Sequence, residues 1–246
     1  MISDFLKYCY EQGWSEDIYS INGTLTIASQ VIFLFFYRKK YNITWFQAIV
    51  TIGIVYSIRG YLITFLTWVE NGFQNWGSGN FERVCVFIPL LAIPIAKLLK
   101  LPFGKVIDYL AVGTALQKVL GPFACPFFGC CRGIDCSWGI WNPFTMSKVF
   151  PVQWLECIVQ IFVVWYLLRL AKRENYAGTG RVYAHFLLIY GSARFLMGFL
   201  KGGSKLLLGI SYLELHALLM VLVGTAWLMV LYEKEQLLTN KQNNFH

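Results

Sequence analysis

Long apolar stretches separated by short polar runs set the pattern of this chain from end to end. Each stretch is about 16 to 24 residues, which as a helix crosses roughly 30 Å of hydrocarbon, with tilt or thinning absorbing the difference. The pattern predicts an all-α, polytopic membrane protein of about seven transmembrane helices, near residues 23–37, 45–68, 84–99, 106–120, 152–170, 182–200 and 210–232. Asp108, Gln117 and Lys118 interrupt the fourth stretch, and Pro122 and Pro126 follow it. A short or partly re-entrant segment is therefore expected there.

The polar runs give an orientation. Arg38, Lys39 and Lys40 follow the first stretch, Lys97, Lys100 and Lys105 flank the turn after the third, and Arg169, Lys172, Arg173 and Arg181 bracket the loop after the fifth. Basic loops stay cytoplasmic, so the N-terminus with Asp4, Glu11, Glu16 and Asp17, the loop 70–83, the segment 125–150 and the run 201–208 face outward. The topology expected is N-out/C-in, with functional residues near the extracytoplasmic face. The N-terminus has neither the basic nor the apolar region of a cleaved signal and is expected to persist. No internal repeat and no Pro-rich, Gly/Ser-rich or acidic tract breaks the chain, which predicts a single integral membrane domain over 1–246.

Composition agrees. Of 246 residues, 57% are hydrophobic and 14% charged, and the mean hydropathy of +0.53 excludes an ordinary water-soluble domain. The formal charge of +8 would suit nucleic acid, but the basic residues sit in short runs at helix ends. Membrane topology accounts for them, and no nucleic-acid partner is expected.

A charge inside hydrocarbon costs several kcal/mol unless it is paired or hydrated, so each such residue demands a reason. Arg59, Arg194 and Lys118 are the main candidates, and both arginines lie mid-stretch and should face the bundle interior. Two guanidiniums in a dry pocket would hold a phosphodiester through bidentate hydrogen bonds; they could instead pair with Glu156, Asp108 or Glu214. Glu156 and Glu214 stand at the outer ends of their stretches, within reach of the arginines. Glu214 and His216 are two apart, so a helix points them to different sides and a catalytic couple is not expected. His185 and His246 read as structural, and no cofactor is implied.

Four of the seven cysteines are bunched as Cys125, Cys130, Cys131 and Cys136 in ACPFFGCCRGIDCSW. On an outward face they would form one or two disulfides. A zinc site is the second reading, although adjacent Cys130 and Cys131 do not give the usual paired spacing. A reactive thiol beside Arg132 is the third.

Four segments taken in order resemble the prolipoprotein diacylglyceryl transferase family of bacterial inner-membrane enzymes. IRGYLITF resembles that family's Gly-Ala-Arg stretch, GPFACPFFGCCRG its Gly-Arg-Ile-Gly-Asn-Phe signature, PVQWLE its His-Pro-Thr-Gln-Leu-Tyr-Glu, and YGSARFLMGFLKGG its Tyr-x-x-x-Arg-Phe-x-x-Glu-Phe-x-Arg. The similarity runs from about Trp45 to Gly224. It implies a multi-pass protein of the bacterial plasma membrane that transfers a diacylglyceryl group from phosphatidylglycerol to the lipobox cysteine of a preprolipoprotein, releasing glycerol phosphate. It further implies that Arg194 and Arg59 hold the phosphate, with Glu156 among the catalytic groups, and that Gln153, Lys201 and Glu214 line the headgroup site. The chain departs from the family's pattern at several positions. WGSGNFERV has no histidine where the family has its His-Gly-Gly loop, so the candidate base is missing. The signature's arginine falls on Pro122, its Asn on Cys125, and the Glu of many members on Cys130. The acid of the last motif falls on Gly198, and its final arginine is Lys201. Arg83 or Lys118 could supply a replacement cation. Two other functions fit the same fold: a non-catalytic lipid-binding or scaffolding protein, and a thiol redox or metal-handling protein built on the cysteines.

Overall fold

The computed structural model describes residues 1–70, 73, 81–202 and 210–243; the side chains of 59, 62, 63, 66, 67, 70, 83, 238 and 241–243 lie outside that description. The described chain is mostly helical. Helices α1 (Ile2–Glu11), α2 (Ser15–Tyr37), α3 (Trp45–Glu70), α4 (Phe81–Leu98), α5 (Phe103–Leu120) and α6 (Cys125–Phe128) lead into strands β1 (Asp135–Asn142) and β2 (Ser147–Val149), and α7 (Val152–Ala171), α8 (Arg181–Gly198) and α9 (Tyr212–Asn243) follow. Each of the seven apolar stretches is helical.

Three of these segments, Ser15–Tyr41, Val152–Ala171 and Tyr212–Leu237, are long and apolar enough to cross a membrane, and Trp45–Ile58 and Val84–Leu98 are shorter apolar helices. Their packing is that of a protein dissolved in lipid. Leu25, Ile32 and Phe36 of α2, Phe162 and Trp165 of α7, and Leu222, Met229 and Val230 of α9 face outward, while Thr26, Gln30 and Gln160 are buried. Where Pro89 interrupts the hydrogen bonding of α4, the Tyr183 hydroxyl of α8 donates to the Cys85 carbonyl, so the freed backbone group is satisfied from a neighbouring helix.

Three features differ from expectation. The chain is not purely α: β1 and β2 form an antiparallel hairpin within the segment 125–150, irregular between Asp135 and Ile140. A short amphipathic helix, α1, covers that hairpin by burying Leu6 against Ile140 and Val149. The fourth stretch is a continuous helix, although it is not among the segments apolar enough to count as spans. It is α5, a regular helix of 18 residues buried without interruption from Val106 to Ala115, and it packs against α2, α4, α7 and α8. Pro122 lies just beyond its end, in the 3-10 turn Gly121–Ala124, where a proline costs the helix nothing.

Close backbone approach sets how α8 meets α9. A Cβ on Gly191 would lie 2.9 Å from the Ala217 carbonyl oxygen, and one on Gly224 would lie 2.8 Å from the Leu188 nitrogen. Only hydrogen fits at either position. This is the small-residue contact by which membrane helices gain dispersion energy where lipid offers no hydrophobic drive.

Asp108, fully buried on α5, anchors the other end of α8. One carboxylate oxygen accepts from Gly178 N at 3.0 Å and Gly180 N at 2.9 Å, and the other accepts from Tyr183 N at 3.0 Å. Gly180, the N-cap residue of α8, supplies no capping side chain, so Asp108 satisfies those orphan donors from a neighbouring helix. The sequence reading has Asp108 as a possible partner for a buried arginine. The structure gives it to backbone amides instead.

Candidate functional site

At the end of α5 opposite Asp108, the helices part around a cavity of about 320 Å³. Lys118 enters from the last turn of α5, Glu82 from the first turn of α4, Glu156 from the first turns of α7, and Arg194 from α8. Two of these positions have a local reason: Glu82 in the first turn of α4 meets the positive end of its helix dipole, and Lys118 in the last turn of α5 meets the negative end. Gly121 and Pro122 then turn the chain along the cavity wall towards Cys125.

Lys201, just past α8, is brought in by backbone pairing. Ile134 N donates to Leu200 O at 3.0 Å and Gly202 N donates to Arg132 O at 3.0 Å, forming a bridge between Gly133 and Lys201. The end of α8 is thereby zipped to the cysteine loop. Gln153 Nε2 donates to Cys130 O at 2.9 Å, and Asn142 Nδ2 donates to Gly129 O at 2.9 Å. Gly129 itself ends α6 at φ 86°, a left-handed conformation that glycine adopts without steric cost.

The charged groups form one network. Arg194 Nε lies 2.5 Å from Glu82 Oε1, with both side chains almost fully buried, and 4.0 Å from Glu156 Oε1. Lys201 Nζ stands 3.0 Å from Glu156 Oε2, and Lys118 Nζ 3.6 Å from Glu156 Oε1. Tyr190, also on α8, donates its hydroxyl to Glu82 Oε1 at 3.2 Å and lies 3.5 Å from Glu156 Oε1. Lys118 also lies over the Phe81 ring, 4.5 Å from its centroid, a cation–π contact.

Two asymmetries give the network its chemistry. Among the described side chains that line the cavity, three cations (Lys118, Arg194, Lys201) face two carboxylates (Glu82, Glu156), leaving a surplus of one positive charge. Arg194 Nη1 is buried with no hydrogen-bond partner among the described residues. A buried guanidinium donor without an acceptor is costly, and a cavity with net positive charge attracts an anion.

The thiols adjoin this network. The sulfurs of Cys125, Cys130 and Cys131 all lie within 4.8 Å of one another, and Cys125 and Cys131 line the cavity. The Cys130 thiol donates to the Cys125 carbonyl at 3.9 Å, and Lys118 and Lys201 line the same cavity. No disulfide joins the described residues. Cys136 stands apart, half-buried on β1.

Of the residues singled out from sequence, Arg194, Glu156 and Lys201 meet in the cavity with Cys125 and Cys131. Gln153 is fully buried and supports the cysteine loop, and Glu214 accepts from Ser211 N at 2.7 Å and from the Ser211 hydroxyl, capping α9. The Arg59 side chain and most of the loop 70–83 lie outside the described residues. Glu82 and Tyr190 were not singled out.

Gly198 also acquires a physical reading. A Cβ there would collide with the Glu214 side chain, so an acid from α9 fills the space that a side chain at 198 would take. Likewise Lys118 stands one helical turn before Pro122 and lines the same wall.

The site is thus a charge-lined cavity within a bundle of apolar helices, beside a cluster of three thiols. Residues 23–230 match the prolipoprotein diacylglyceryl transferase family, and the chain belongs to that family. Over 108 residues it is 27% identical to a phosphatidylglycerol–prolipoprotein diacylglyceryl transferase of Clostridium tetani (strain Massachusetts / E88). That match spans 41% of this chain and 43% of the relative's length.

Proposed function

We propose that this chain is a phosphatidylglycerol-dependent diacylglyceryl transferase of the bacterial plasma membrane, a single multi-pass domain with seven spans in N-out/C-in orientation. The observation that carries the reading is the surplus positive charge of the cavity together with the unpartnered Arg194 Nη1. A phosphodiester carries one negative charge and two free oxygens. It neutralises that surplus and gives the guanidinium its acceptor.

In this reading Arg194, Lys118 and Lys201 hold the phosphate, with Arg59 of α3 as a further cation. Glu82 and Tyr190 fix the Arg194 guanidinium so that its free edge meets the lipid. The acceptor is a lipobox cysteine of a preprolipoprotein. Its thiolate sulfur attacks the glyceryl carbon that bears the phosphate oxygen, a C–S bond forms as the C–O bond breaks, and glycerol phosphate leaves with the electron pair. The cations stabilise the charge that grows on the leaving oxygen. Glu156, held between two lysines, is the cavity carboxylate assigned to take the thiol proton.

The test is glycerol phosphate release by the purified protein in phosphatidylglycerol micelles, with a lipobox peptide or its Cys→Ser control. Release that requires the peptide cysteine and is lost in Arg194→Ala supports the transferase. A second reading, a lipid-binding scaffold of the same fold without chemistry, draws on the absence of histidine from WGSGNFERV. Bound phosphatidylglycerol with no release in the same assay would favour it.

A further inference from the structure

The cysteine cluster is larger than a headgroup site needs. Cys125, Cys130 and Cys131 bring three sulfurs within 4.8 Å of one another, and Zn²⁺ held by thiolates at about 2.3 Å requires sulfurs only about 3.8 Å apart. A small closure makes the ligand set. The loop is already fixed for it: Gln153 holds the Cys130 carbonyl, Asn142 holds the Gly129 carbonyl, and the Cys131 backbone is set at φ 54°. Support of this kind orients ligands before the metal arrives. The set is also lopsided. Cys125 is buried and Cys130 half-buried, whereas Cys131 is exposed and lines the cavity.

We propose that Cys125, Cys130 and Cys131 hold a zinc ion whose fourth position opens into the cavity and receives the acceptor thiol. The proposal rests on the transferase reading and supplies what it lacks. Metal sites with three protein ligands and one open position serve chemistry, and a thiol bound to zinc is a thiolate at neutral pH. The base expected in WGSGNFERV is then not required. Lys118 and Lys201 would repel a bare cation, but three thiolates and one Zn²⁺ together carry a single negative charge, which these lysines face, leaving the Arg194 Nη1 edge for the phosphate.

The step balances without an oxidant. The peptide thiol displaces water at the open position and releases its proton to Glu156 or to solvent. The zinc-bound sulfur then forms the C–S bond as the glyceryl C–O bond breaks and glycerol phosphate departs. The thioether product is a weaker ligand than the thiolate and leaves the position open again.

The experiment uses the reduced full-length protein in phosphatidylglycerol micelles. Zinc stoichiometry is measured against a chromogenic chelator, and Co²⁺ replaces zinc as an optical probe. The expected result is one metal per chain, with thiolate-to-cobalt absorption that intensifies on adding the lipobox peptide and does not change with its Cys→Ser control. Cys131→Ser should lose the band and Cys136→Ser should keep it. Glycerol phosphate release by reduced, metal-free protein that binds no Zn²⁺ would overturn the zinc site while leaving the transferase standing. A cobalt band that ignores the peptide thiol would overturn the open position. Metal binding with the peptide response but no release would uphold the site and remove the transferase reading instead.

Discussion

Helix α5 turns a charge into the bundle near each end, Asp108 fully buried and Lys118 half-buried, and the two are handled in opposite ways. Asp108 and Lys118 are ten residues apart, about 15 Å along the axis. Three backbone N–H groups close around Asp108, while Lys118 faces a cavity in which cations outnumber carboxylates. Asp108 finishes a fold contact; Lys118 belongs to the charged cavity. Burial of a charge therefore does not mark function by itself. What marks it is charge left over after the protein's own partners have been counted.

That comparison can be broken at several points. The largest effect is expected from Arg194→Ala, which leaves Glu82 buried beside Tyr190 without its guanidinium. Breaking a buried pair costs about 3–5 kcal/mol, and losing the group that stabilises the leaving charge should lower glycerol phosphate release by on the order of 10²–10³-fold. Arg194→Lys keeps the charge but not the fork. It should recover most of the stability and little of the activity, measured by thermal unfolding and release assays together.

Asp108→Ala should reverse that split. Hydrogen bonds to a charged group contribute about 1.5–3 kcal/mol each, and Asp108 accepts three, so a destabilisation on the order of 5 kcal/mol is expected, with release per folded molecule unchanged. A loss of turnover matching that of Arg194→Ala in folded protein would show that the two ends of α5 are not separable.

Glu156→Gln sharpens the charge argument. Removing one carboxylate raises the cavity's surplus from one positive charge to two, so binding of phosphatidylglycerol should tighten by about tenfold, roughly 1.4 kcal/mol, while turnover falls. Weaker binding in lipid titration would count against the surplus as the source of affinity. Lys118→Met should move binding the other way by a similar factor.

The smallest effect on chemistry is expected from Gly191→Ala, whose methyl would press on the Ala217 carbonyl and the Met220 Cβ. Overpacking of this kind costs about 1–3 kcal/mol. It should appear in thermal unfolding and leave the ratio of turnover to lipid affinity untouched.

Much of this arrangement was legible in the sequence, because hydrocarbon imposes a simple rule on helices. The seven apolar stretches are helices, Arg194 and Lys118 could be picked out as charges that lipid would not tolerate alone, with Glu156 as a possible partner, and Lys201 came from the family resemblance. What escaped depended on pairing across distant segments. Glu82 sat in a segment assigned to an outward loop, and only its contact with Arg194, 112 positions on, reveals it as an interior acid. Asp108 looked like an arginine's partner because a sequence does not display the backbone amides of 178–183. The hairpin was hidden because Trp, Gly and Cys in DCSWGIWN blur the two-residue period of a strand. Gln153 and Glu214 were expected to line the headgroup site, but local geometry turns the first to the cysteine loop and the second to Ser211.

The measurement closest to the central claim is the mass of a lipobox peptide after incubation with the purified protein and phosphatidylglycerol of defined acyl chains. The account predicts that the peptide gains one diacylglyceryl group on its cysteine, that the Cys→Ser peptide gains none, and that Arg194→Ala abolishes the product. An unmodified peptide, recovered from folded protein with phosphatidylglycerol bound in its cavity, would contradict it.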